Sequence, residues 1–495
     1  MNEPLRHPAG LPVGDAWLPT AATSPVRFSY DGSEVGRAPV GTPVEAHAAL
    51  DAAVAVAPEV AALPSRTRRA VLTATRDALA AQRDAFEDLL VLETGKPLVD
   101  CRVEVERTLV TLAAAAEEVA RLHGETVPLD LLPSGDGLIG FWTRRPIGVV
   151  VAIAGFNYPL LLAVHKIAPA VAAGCPVICK PAPQTPLATL WLVHLVREAA
   201  VAAGAPAAMV QLVTGGPDVG AALVTDRRIG AVSFTGSAAV GHRIARDAAP
   251  TKVLLELGSN AALCVAADAD LAAAADAVVR GGFYASGQAC ISVQRVLVVQ
   301  DVVEPFLEAL RGRFPAVRVG DPRDPATRVA PLIDDRSAAR VRDWVDAAVA
   351  GGARVVAGGS LEPGAPAGGG TAAAGQGWVA PTVLADVPAD ADVWREEVFG
   401  PVVCVRTVPD VEAAFDAVND SRYGLHASVF TRSLATAFRA VERLDVGGVI
   451  VNEVPGFRSD TMPYGGVKDS GAGREGPRFA VEELTVTRMA VIRPA

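Results

Sequence analysis

The run RRPIGVVVAIAG, residues 144–155, decides the fold. It is rich in β-branched residues and is bounded by Pro146 and Gly155, which predicts a buried strand. The next run, PLLLAVHKIAPAVAAG (159–174), has the apolar spacing of a helix, and CPVICKPA (175–182) predicts a second short buried strand. A strand, a helix and a strand in this order form a βαβ unit, which is the building block of a parallel sheet.

The same alternation continues toward the C-terminus. Further strands are predicted at 209–216, 229–236 and 252–258, with helices at 218–226 and 237–249. This order predicts an α/β fold with a doubly wound, mainly parallel sheet. A second α/β region begins after about residue 258, with helices near 268–285 and 302–313.

Other parts of the chain lie outside this alternation. Upstream, residues 65–95 and 100–124 carry apolar side chains at helical spacing and predict two long helices. The segment 351–377 is rich in Gly, Ala and Pro and predicts a surface excursion. The segments 137–145 and 484–493 predict strands of a kind that often pairs between subunits.

The composition is that of a well-packed globular protein, with 495 residues, 51% of them hydrophobic and 20% charged. A chain of this length predicts roughly two or three folding units. The net charge of −10 argues against a nucleic acid partner, which needs concentrated positive charge. No signal peptide and no apolar run of membrane-spanning length stand in the sequence, so we expect a cytoplasmic protein without a membrane partner.

The six cysteines form no CxxC pair and are too few for a disulfide framework, which favours a reduced protein. Cys175 and Cys179 lie four residues apart without a histidine at ligand spacing, so no metal site is expected. Cys290 lies in GQACIS (287–292). On its residue type alone it is a nucleophile or one more buried cysteine.

Polar residues lie at or just after the carboxyl ends of four of the predicted strands. They are Asn157, Lys180, Ser237 and Glu256. Ligands of doubly wound sheets bind beyond the carboxyl ends of the strands, so these four side chains are expected to converge on one site.

Each of the four also has a purely structural interpretation. Ser237 opens a helix whose N-terminus fits a phosphate, or it belongs only to a turn and cap. Lys180 binds ribose hydroxyls or a phosphate, or it is a surface lysine. Glu256 is a general base in an apolar setting, or a paired buried carboxylate. Asn157 offers its amide to an oxyanion, or it forms an Asx-type turn.

Five motifs accompany these residues in a fixed order: ETGKP (93–97), FTGS (234–237), GQAC (287–290), EEVFGP (396–401) and YGL (423–425). With Asn157, Lys180 and Glu256 at their spacing before Cys290, the set resembles the aldehyde dehydrogenase superfamily over essentially the whole chain. The runs GFNYPL, AVHKIAPA, ELGSN, CISVQRV and MPYGGVKDSGAGREG resemble its subgroup of lactaldehyde and phosphonoacetaldehyde dehydrogenases. Substrates in that subgroup are small, polar and often anionic.

The resemblance implies a set of catalytic residues. Cys290 matches the nucleophile, Glu256 the general base that activates the deacylating water, and Asn157 the amide donor of the oxyanion hole. Lys166 and Glu475 match a pair that relays protons from the base. The implied chemistry is attack of a thiolate on an aldehyde, hydride transfer from the thiohemiacetal to a nicotinamide, and hydrolysis of the thioester.

The resemblance also implies an NAD or NADP site. Lys180 and Glu397 match the residues that hold the adenine-side and nicotinamide-side riboses, Ser237 matches the pyrophosphate contact, and Phe399 flanks the nicotinamide. Pro183 stands where many NAD-preferring members carry a ribose-binding glutamate, so a 2′-phosphate would not be repelled and NADP stays open. The other residues expected to contact the cofactor are Ile153, Ala154, Phe156, Ala182, Gly216, Phe234, Gly236 and Leu257.

The candidate substrate residues are Arg107, Tyr158 and Arg458. Each arginine either binds the tail of an anionic substrate or forms an ordinary ion pair. Ala289 and Tyr158 stand where phosphonate-specific relatives are expected to carry charged or histidine side chains, so the identity of the aldehyde stays open.

The resemblance implies a dinucleotide-binding domain (1–127 and 147–257), a catalytic domain (258–467), and an oligomerisation arm and tail (128–146 and 468–495). A homodimer or homotetramer is therefore expected. Two other functions stay open. One is a CoA-acylating aldehyde dehydrogenase, against which Glu256 argues, and the other is a non-catalytic protein that retains the fold.

Overall fold

The computed structural model describes residues 7–360 and 377–494 as a mixed α/β fold, which confirms the predicted fold class. In these ranges the helices are α1 (Pro43–Ala62), α2 (Ser65–Ala80), α3 (Arg83–Thr94), α4 (Leu98–Glu118), α5 (Pro159–Ala173), α6 (Leu187–Ala202), α7 (Pro217–Val224), α8 (Ala238–Ala248), α9 (Leu271–Phe283), α10 (Val303–Arg313), α11 (Asp335–Ala350), α12 (Asp392–Arg395), α13 (Val411–Asn419), α14 (Leu434–Arg443) and α15 (Pro477–Glu483).

The strands in the same ranges are β1 (Leu11–Val13), β2 (Ala16–Leu18), β3 (Ala22–Arg27), β4 (Glu34–Val40), β5 (Glu125–Thr126), β6 (Ile139–Pro146), β7 (Val149–Ile153), β8 (Val177–Lys180), β9 (Val210–Leu212), β10 (Ile229–Thr235), β11 (Lys252–Glu256), β12 (Ala262–Val265), β13 (Arg295–Val299), β14 (Arg354–Gly358), β15 (Thr382–Ala385), β16 (Val402–Val408), β17 (Tyr423–Gly424), β18 (His426–Phe430), β19 (Gly448–Val451), β20 (Val467–Lys468), β21 (Gly471–Ala472) and β22 (Thr485–Ile492).

The first large sheet has the strand order β21-β11-β10-β7-β8-β9. Its strands run parallel except β21, which pairs antiparallel with β11. The predicted βαβ unit is β7, α5 and β8. Every residue of α5 except Leu162 is buried, because the run is apolar on all sides, and the helix ends at Gly174 in the left-handed conformation (φ 84).

The second large sheet has the order β14-β15-β16-β13-β12-β18-β19 and is parallel except for the β14–β15 pair. The surface excursion predicted at 351–377 is wrong in part, because Arg354–Gly358 forms the edge strand β14 of this sheet. Val355 pairs with Leu384 there, so a β-branched residue within the Gly-rich segment suffices for an edge strand. Residues 361–376 of the same segment lie outside the described residues.

The long helix predicted at 65–95 is divided into α2 and α3. Gln82 leaves the helical conformation (φ −120, ψ 20), and its side-chain amide donates to the carbonyl of Ala78 at 3.0 Å. The side-chain amide thus supplies the hydrogen bond that a backbone amide would give to this carbonyl inside a helix, and the chain can turn at the end of α2. The helix predicted at 100–124 is α4, which ends at Glu118.

The strands predicted at 137–145 and 484–493 form a small antiparallel sheet in this chain. β6 pairs with β22 over its whole length, from Ile139 opposite Ile492 to Pro146 opposite Thr485, and β5 pairs with the other side of β6. Within the described ranges, the outer edge of β22 has no strand partner. Apolar side chains on this sheet are exposed, among them Val491 at 56%.

The described helices were also compared with the length and hydropathy of a membrane span. No single helix among them is long and apolar enough to cross a membrane. Two consecutive helices, Pro43–Ala62 and Ser65–Ala80, have the length and composition of a membrane span only when they are counted together. The bend between them is 114°.

Candidate active site

A cavity of about 780 Å³ lies where several of the predicted residues meet. Its walls include Asn157 after β7, Ser237 at the start of α8, Glu256 at the end of β11, and Cys290. Three of the four polar residues predicted at strand ends therefore meet at this cavity, as the parallel topology predicts, whereas Lys180, the fourth, lies outside its lining.

The backbone before Cys290 is held in an unusual conformation. Ala285, Ser286 and Gly287 all have positive φ values, of 48, 57 and 73. The hydroxyl of Ser286 bonds both to the carbonyl and to the amide of Ala330, while Asp100 accepts from the amide of Ala285 at 2.9 Å. These contacts fix a strained segment, a feature that clusters at functional sites.

The GQAC motif has a direct structural reason. A side chain at Gly287 would lie 2.1 Å from the carbonyl oxygen of Gly400, so only glycine allows the two segments to approach. Gln288 accepts a hydrogen bond from the amide of Ile333 at 3.0 Å. Gly287 and Gln288 thus anchor the loop that carries Cys290 to its neighbours.

Cys290 is the one cysteine of the six that is not fully buried, and all six are free thiols. The pKa of its thiol is raised to about 12, chiefly by burial and in part by the nearby carboxylates of Glu397 and Glu256. A hydrogen bond with Tyr464 lowers the same pKa. The sulfur is therefore held as a thiol at neutral pH.

Asn157 lies against the segment that carries Cys290. Its side-chain amide donates to the carbonyl of Gln288 at 2.8 Å, two residues before Cys290. Its own carbonyl accepts from the amine of Lys96 at 2.8 Å. The side-chain amide thus bonds the segment that carries Cys290, a contact that an Asx-type turn alone would not make.

Glu256 ends β11 and lies opposite Thr235 of β10. Burial raises the pKa of its carboxyl well above the usual value, and the negative charge of Glu475 raises it further. Its Oε2 atom is buried and makes no hydrogen bond within the described part of the chain. A buried carboxyl with a free oxygen and a raised pKa can take up a proton from water or a thiol.

Lys166 and Glu475 form a buried ion pair behind Glu256. The Lys166 amine lies 3.0 Å from Oε1 of Glu475 and donates to the hydroxyl of Thr235 at 2.7 Å. Burial raises the pKa of Glu475, but Lys166, His165 and Arg458 together hold it well below its usual value. Glu475 is therefore ionised, and its charge acts on Glu256.

The two candidate substrate arginines share one carboxylate. Arg107 binds Asp460 through Nε at 3.0 Å and Nη2 at 2.7 Å, and Nε of Arg458 lies 3.7 Å from the same group. Arg458 also donates to Oε2 of Glu475 at 3.1 Å. Both arginines line the cavity, as does Tyr158, whose ring lies 3.6 Å from the amine of Lys96.

The residues expected to hold the cofactor occupy two places. The first group lines the cavity: Phe156, Gly236, Ser237, Leu257, Glu397 and Phe399. The others lie outside the cavity lining: Ile153, Ala154, Lys180, Ala182, Pro183, Gly216 and Phe234. Phe156 and Phe399 meet edge to face with their ring centroids 5.7 Å apart.

These residues fit a dinucleotide. Helix α8 has no acidic residue in its first turn, so its N-terminal amides at Ser237 are free to bind a phosphate. A side chain at Gly236 would lie 2.5 Å from the ring of Phe234, which requires a glycine at this approach. Glu397 is held by the amide of Ser259 at 3.0 Å, and burial raises the pKa of its carboxyl to about 7.

Comparison with known proteins decides the family. The model of the aldehyde dehydrogenase family matches residues 17–490. The chain belongs to the aldehyde dehydrogenase family. It is 38% identical over 484 residues to the 3-sulfolactaldehyde dehydrogenase of Priestia aryabhattai, covering 98% of both chains. It is 35% identical to the lactaldehyde dehydrogenase of Methanococcus maripaludis, covering 87% of this chain and 88% of that one.

Solved aldehyde dehydrogenases share the fold. Aldehyde dehydrogenase 21 of Physcomitrella patens, solved with its reaction product succinate, superposes with a TM-score of 0.91 at 34% identity, covering 98% of each chain. The glyceraldehyde-3-phosphate dehydrogenase of Methanocaldococcus jannaschii, complexed with NADP, gives a TM-score of 0.89 at 32% identity, covering 96% of this chain and 100% of that one. The expectation of an NAD(P)-dependent aldehyde dehydrogenase is confirmed, and the two other functions left open are not favoured.

Sequence reasoning missed three residues of this aldehyde dehydrogenase site. Tyr464 contacts the sulfur of Cys290, Asp460 joins the two arginines, and Lys96 holds the turn of Asn157 and Tyr158. Lys96 and Tyr464 lie in the recognised motifs ETGKP and MPYGG, so the sequence singled out their positions. It did not show which residues they contact. No metal-binding cluster of His, Cys, Asp or Glu occurs among residues 7–360 and 377–494.

Proposed function

We propose that the protein oxidises a small anionic aldehyde to its carboxylic acid with NADP, by a hydrolytic route through Cys290. One observation carries this assignment: Cys290, Asn157 and Glu256 line a single cavity, in which Cys290 is the one cysteine that is not buried. Nucleophile, oxyanion donor and general base are the three groups that the reaction requires.

Each residue has a defined part in the proposed chemistry. The proton of Cys290 passes to Glu256, the sulfur attacks the aldehyde carbon, and the amide of Asn157 with the amide of Cys290 receives the developing oxyanion. Glu256 passes this first proton on and, ionised again, takes a second proton from the water that hydrolyses the thioester. Lys166 and Glu475 lie behind Glu256 and are placed to pass that proton onward.

The nicotinamide cofactor, when bound, accepts the hydride. Glu397 and Lys180 are placed to hold its two riboses, and the α8 N-terminus at Ser237 is placed to hold the pyrophosphate. No hydrogen bond from the Lys180 amine is found within the described ranges, although the side chain is buried, so the amine is available to a ligand. Pro183 is exposed and has no carboxylate to repel a 2′-phosphate, which supports NADP.

The charges at the cavity support an anionic substrate. Arg107 uses Nε and Nη2 for Asp460, and its Nη1 makes no hydrogen bond within the described residues. Arg107 and Arg458 share the carboxylate of Asp460, and Arg458 also binds Glu475, so Nη1 of Arg107 is a donor that remains for a substrate. The related enzymes named for 3-sulfolactaldehyde or solved with succinate also handle anions, which supports Arg107 as the contact for the substrate tail.

The test is a panel of small aldehydes with matched neutral, carboxylated, sulfonated and phosphorylated members, each assayed with NAD and NADP. We expect kcat/KM to be highest for an anionic member with NADP. Arg107→Met should raise KM for anionic aldehydes by about tenfold or more and leave neutral ones unchanged, since a charge-assisted hydrogen bond is lost. Equal kcat/KM for neutral and anionic members would refute the substrate assignment.

Two active-site variants test the chemistry. Cys290→Ser should abolish aldehyde oxidation, and Glu256→Gln should slow both formation of the thioester and its hydrolysis, because Glu256 takes a proton in each step. A CoA-acylating enzyme would instead turn over only when CoA is added to accept the acyl group. A Cys290→Ser variant as active as the parent would overturn the proposal.

The domain division, assembly and location predicted from the sequence are part of the same proposal. The boundary at 257/258 falls between β11 of the first large sheet and β12 of the second. The open edge of β22 and its exposed apolar side chains support a homodimer or homotetramer formed through the arm. Six free thiols support a reduced, cytoplasmic protein, and the charge of −10 supports the absence of a nucleic acid partner.

A further inference from the structure

The hydroxyl of Tyr464 is a polar group in direct contact with the sulfur of Cys290. The two atoms lie 3.2 Å apart, within hydrogen-bond distance for sulfur. Tyr464 is buried, and this is the only hydrogen bond of its hydroxyl within the described ranges. Because a buried polar group needs a hydrogen-bond partner, the Tyr464 hydroxyl depends on this contact with the Cys290 sulfur.

The ring of Tyr464 is held on both sides. The guanidinium of Arg458 lies 3.7 Å from the ring centroid, and the ring of His426 meets it edge to face at 5.1 Å. Nδ1 of His426 donates to the carbonyl of Pro455 at 2.9 Å, which fixes the imidazole. A cation over the ring draws electron density from the phenol and makes its hydroxyl a stronger donor.

The direction of the hydrogen bond depends on the state of the sulfur. Between a thiol and a phenol, either group can donate. Once the sulfur has lost its proton, only the phenol has a hydrogen to give. The contact therefore stabilises the thiolate more than the thiol, because hydrogen bonds to a charged acceptor are the stronger ones.

We propose that Tyr464 is a further catalytic residue, whose hydroxyl donates to the thiolate of Cys290 both when it attacks and when it leaves. The inference rests on the proposed function of Cys290 as nucleophile. At attack the thiol proton goes to Glu256, a carbon–sulfur bond forms, and the carbonyl electron pair moves to oxygen. When water attacks the thioester, the carbon–sulfur bond breaks and its electron pair returns to sulfur, where Tyr464 again donates.

The other groups that face the sulfur stay in place when Tyr464 is changed. Glu256 from the end of β11 and Glu397 after α12 raise the pKa of the Cys290 thiol, and Arg458 lowers it. The phenol of Tyr284, which follows α9, also faces the sulfur. A change seen in Tyr464→Phe therefore reports the loss of one hydroxyl and not of the surrounding charges.

The experiment measures the rate of Cys290 alkylation by iodoacetamide against pH in full-length protein, with and without NADP. The other five cysteines are buried, so alkylation is selective, and Cys290→Ala gives the background. Losing a hydrogen bond to a charged group is expected to slow alkylation of Tyr464→Phe about tenfold at pH 7 and to move the profile to higher pH. Oxidation of aldehyde should show a lower kcat at unchanged KM.

Tyr30→Phe is the matched control, since Tyr30 is also a buried tyrosine but packs against Phe28 and Trp378, away from the cavity. It should leave alkylation and activity unchanged. Tyr464→Phe loses a single oxygen, and thermal unfolding checks that it is folded. As a second measurement, 3-fluorotyrosine in the otherwise unaltered chain makes the phenol a stronger donor and should move the alkylation profile to lower pH.

Superimposable alkylation profiles of wild type and Tyr464→Phe would overturn the inference, as would an unshifted profile with 3-fluorotyrosine. Alkylation needs no aldehyde and no turnover. A protein that oxidised no aldehyde yet showed the Tyr464→Phe shift would refute the proposed function while leaving the thiolate contact standing.

Discussion

The buried pair of Lys96 and Glu104 gives the sharpest test of how the oxyanion donor is positioned. The Lys96 amine contacts the Glu104 carboxylate, the carbonyl of Asn157 at 2.8 Å and the ring of Tyr158 at 3.6 Å. The other oxygen of Glu104 accepts from the amides of Leu160 and Leu161, at the start of α5. One ion pair thus holds both the turn that carries Asn157 and the helix that follows it.

Replacing Lys96 alone removes one partner of a fully buried pair. The side chains of Lys96 and Glu104 are 3% and 0% exposed, so Glu104 would be left buried with an uncompensated charge. Breaking a pair in this way costs about 3–5 kcal/mol of unfolding free energy, and Lys96→Met should show it as a lower unfolding midpoint.

The double variant Lys96→Met with Glu104→Gln separates positioning from stability. The amide that replaces the Glu104 carboxylate keeps an oxygen for the two backbone amides and carries no charge, so most of the unfolding free energy should return. The turn of Asn157 still lacks the donor from Lys96. Because a lost oxyanion donor costs about 10²–10³ in kcat, a displaced one should cost about tenfold to hundredfold. Lys96 does not line the cavity, so KM should hardly change.

The assay is single-turnover formation of reduced cofactor, with thermal unfolding on the same samples. Lys252→Met is the matched control, since Lys252 also pairs with a carboxylate, Glu483, but on the surface, where its side chain is 39% exposed. It should change the unfolding free energy by no more than about 0.5 kcal/mol and leave kcat unchanged. A double variant that recovered its stability and kept the wild-type kcat would refute the role given to Lys96.

Three further predictions concern the cofactor and the assembly. Pro183→Glu should move the ratio of kcat/KM from NADP toward NAD by about tenfold or more, because a carboxylate repels a 2′-phosphate; steady-state assays with both cofactors measure it. Burial raises the pKa of Glu397 to about 7, so its carboxylate becomes protonated as pH falls below 7 and the cofactor Kd should rise. In calorimetry, Glu397→Gln should bind the cofactor with a Kd that does not depend on pH. Stability should change with pH in the opposite direction. Between pH 4.5 and 7 the folded state keeps the proton of Glu397 while the unfolded state loses it, so the contribution of Glu397 to the unfolding free energy falls as pH rises through that window. Val491→Arg, on exposed β22, should lower the molar mass in light scattering to that of a monomer, and an unchanged mass would exclude the arm as the interface.

The meeting of site residues at one edge of the sheet could be predicted, because a parallel sheet places the carboxyl ends of its strands at the same edge. Asn157 and Glu256 follow strands whose β-branched runs are visible in the sequence, and both line the cavity. The strands 137–145 and 484–493 were predicted as parts of an oligomerisation arm, but their pairing with each other was not, because it depends on contacts between residues hundreds of positions apart.

The contacts that support the site were not predictable for the same reason. Lys96 reaches Asn157 across 61 positions, and Tyr464 reaches Cys290 across 174. Arg458 shows the limit most clearly. The sequence left open whether it binds the substrate or forms an ion pair, and only the fold shows that it lies on the ring of Tyr464 and binds Glu475.

Glu475 links the two ends of the proposed reaction. Lys166 and Arg458 bind its two oxygens and keep it ionised, and its charge in turn raises the pKa of Glu256, which makes that carboxylate a stronger base. The two cations act in the opposite sense to Glu475, since Arg458 and Lys166 lower the pKa of Glu256 while burial and Glu475 raise it. Arg458 also lowers the pKa of the Cys290 thiol. The triad that these two cations form with Glu475 therefore limits how far the proton affinity of Glu256 rises and, through Arg458, favours loss of the thiol proton from Cys290.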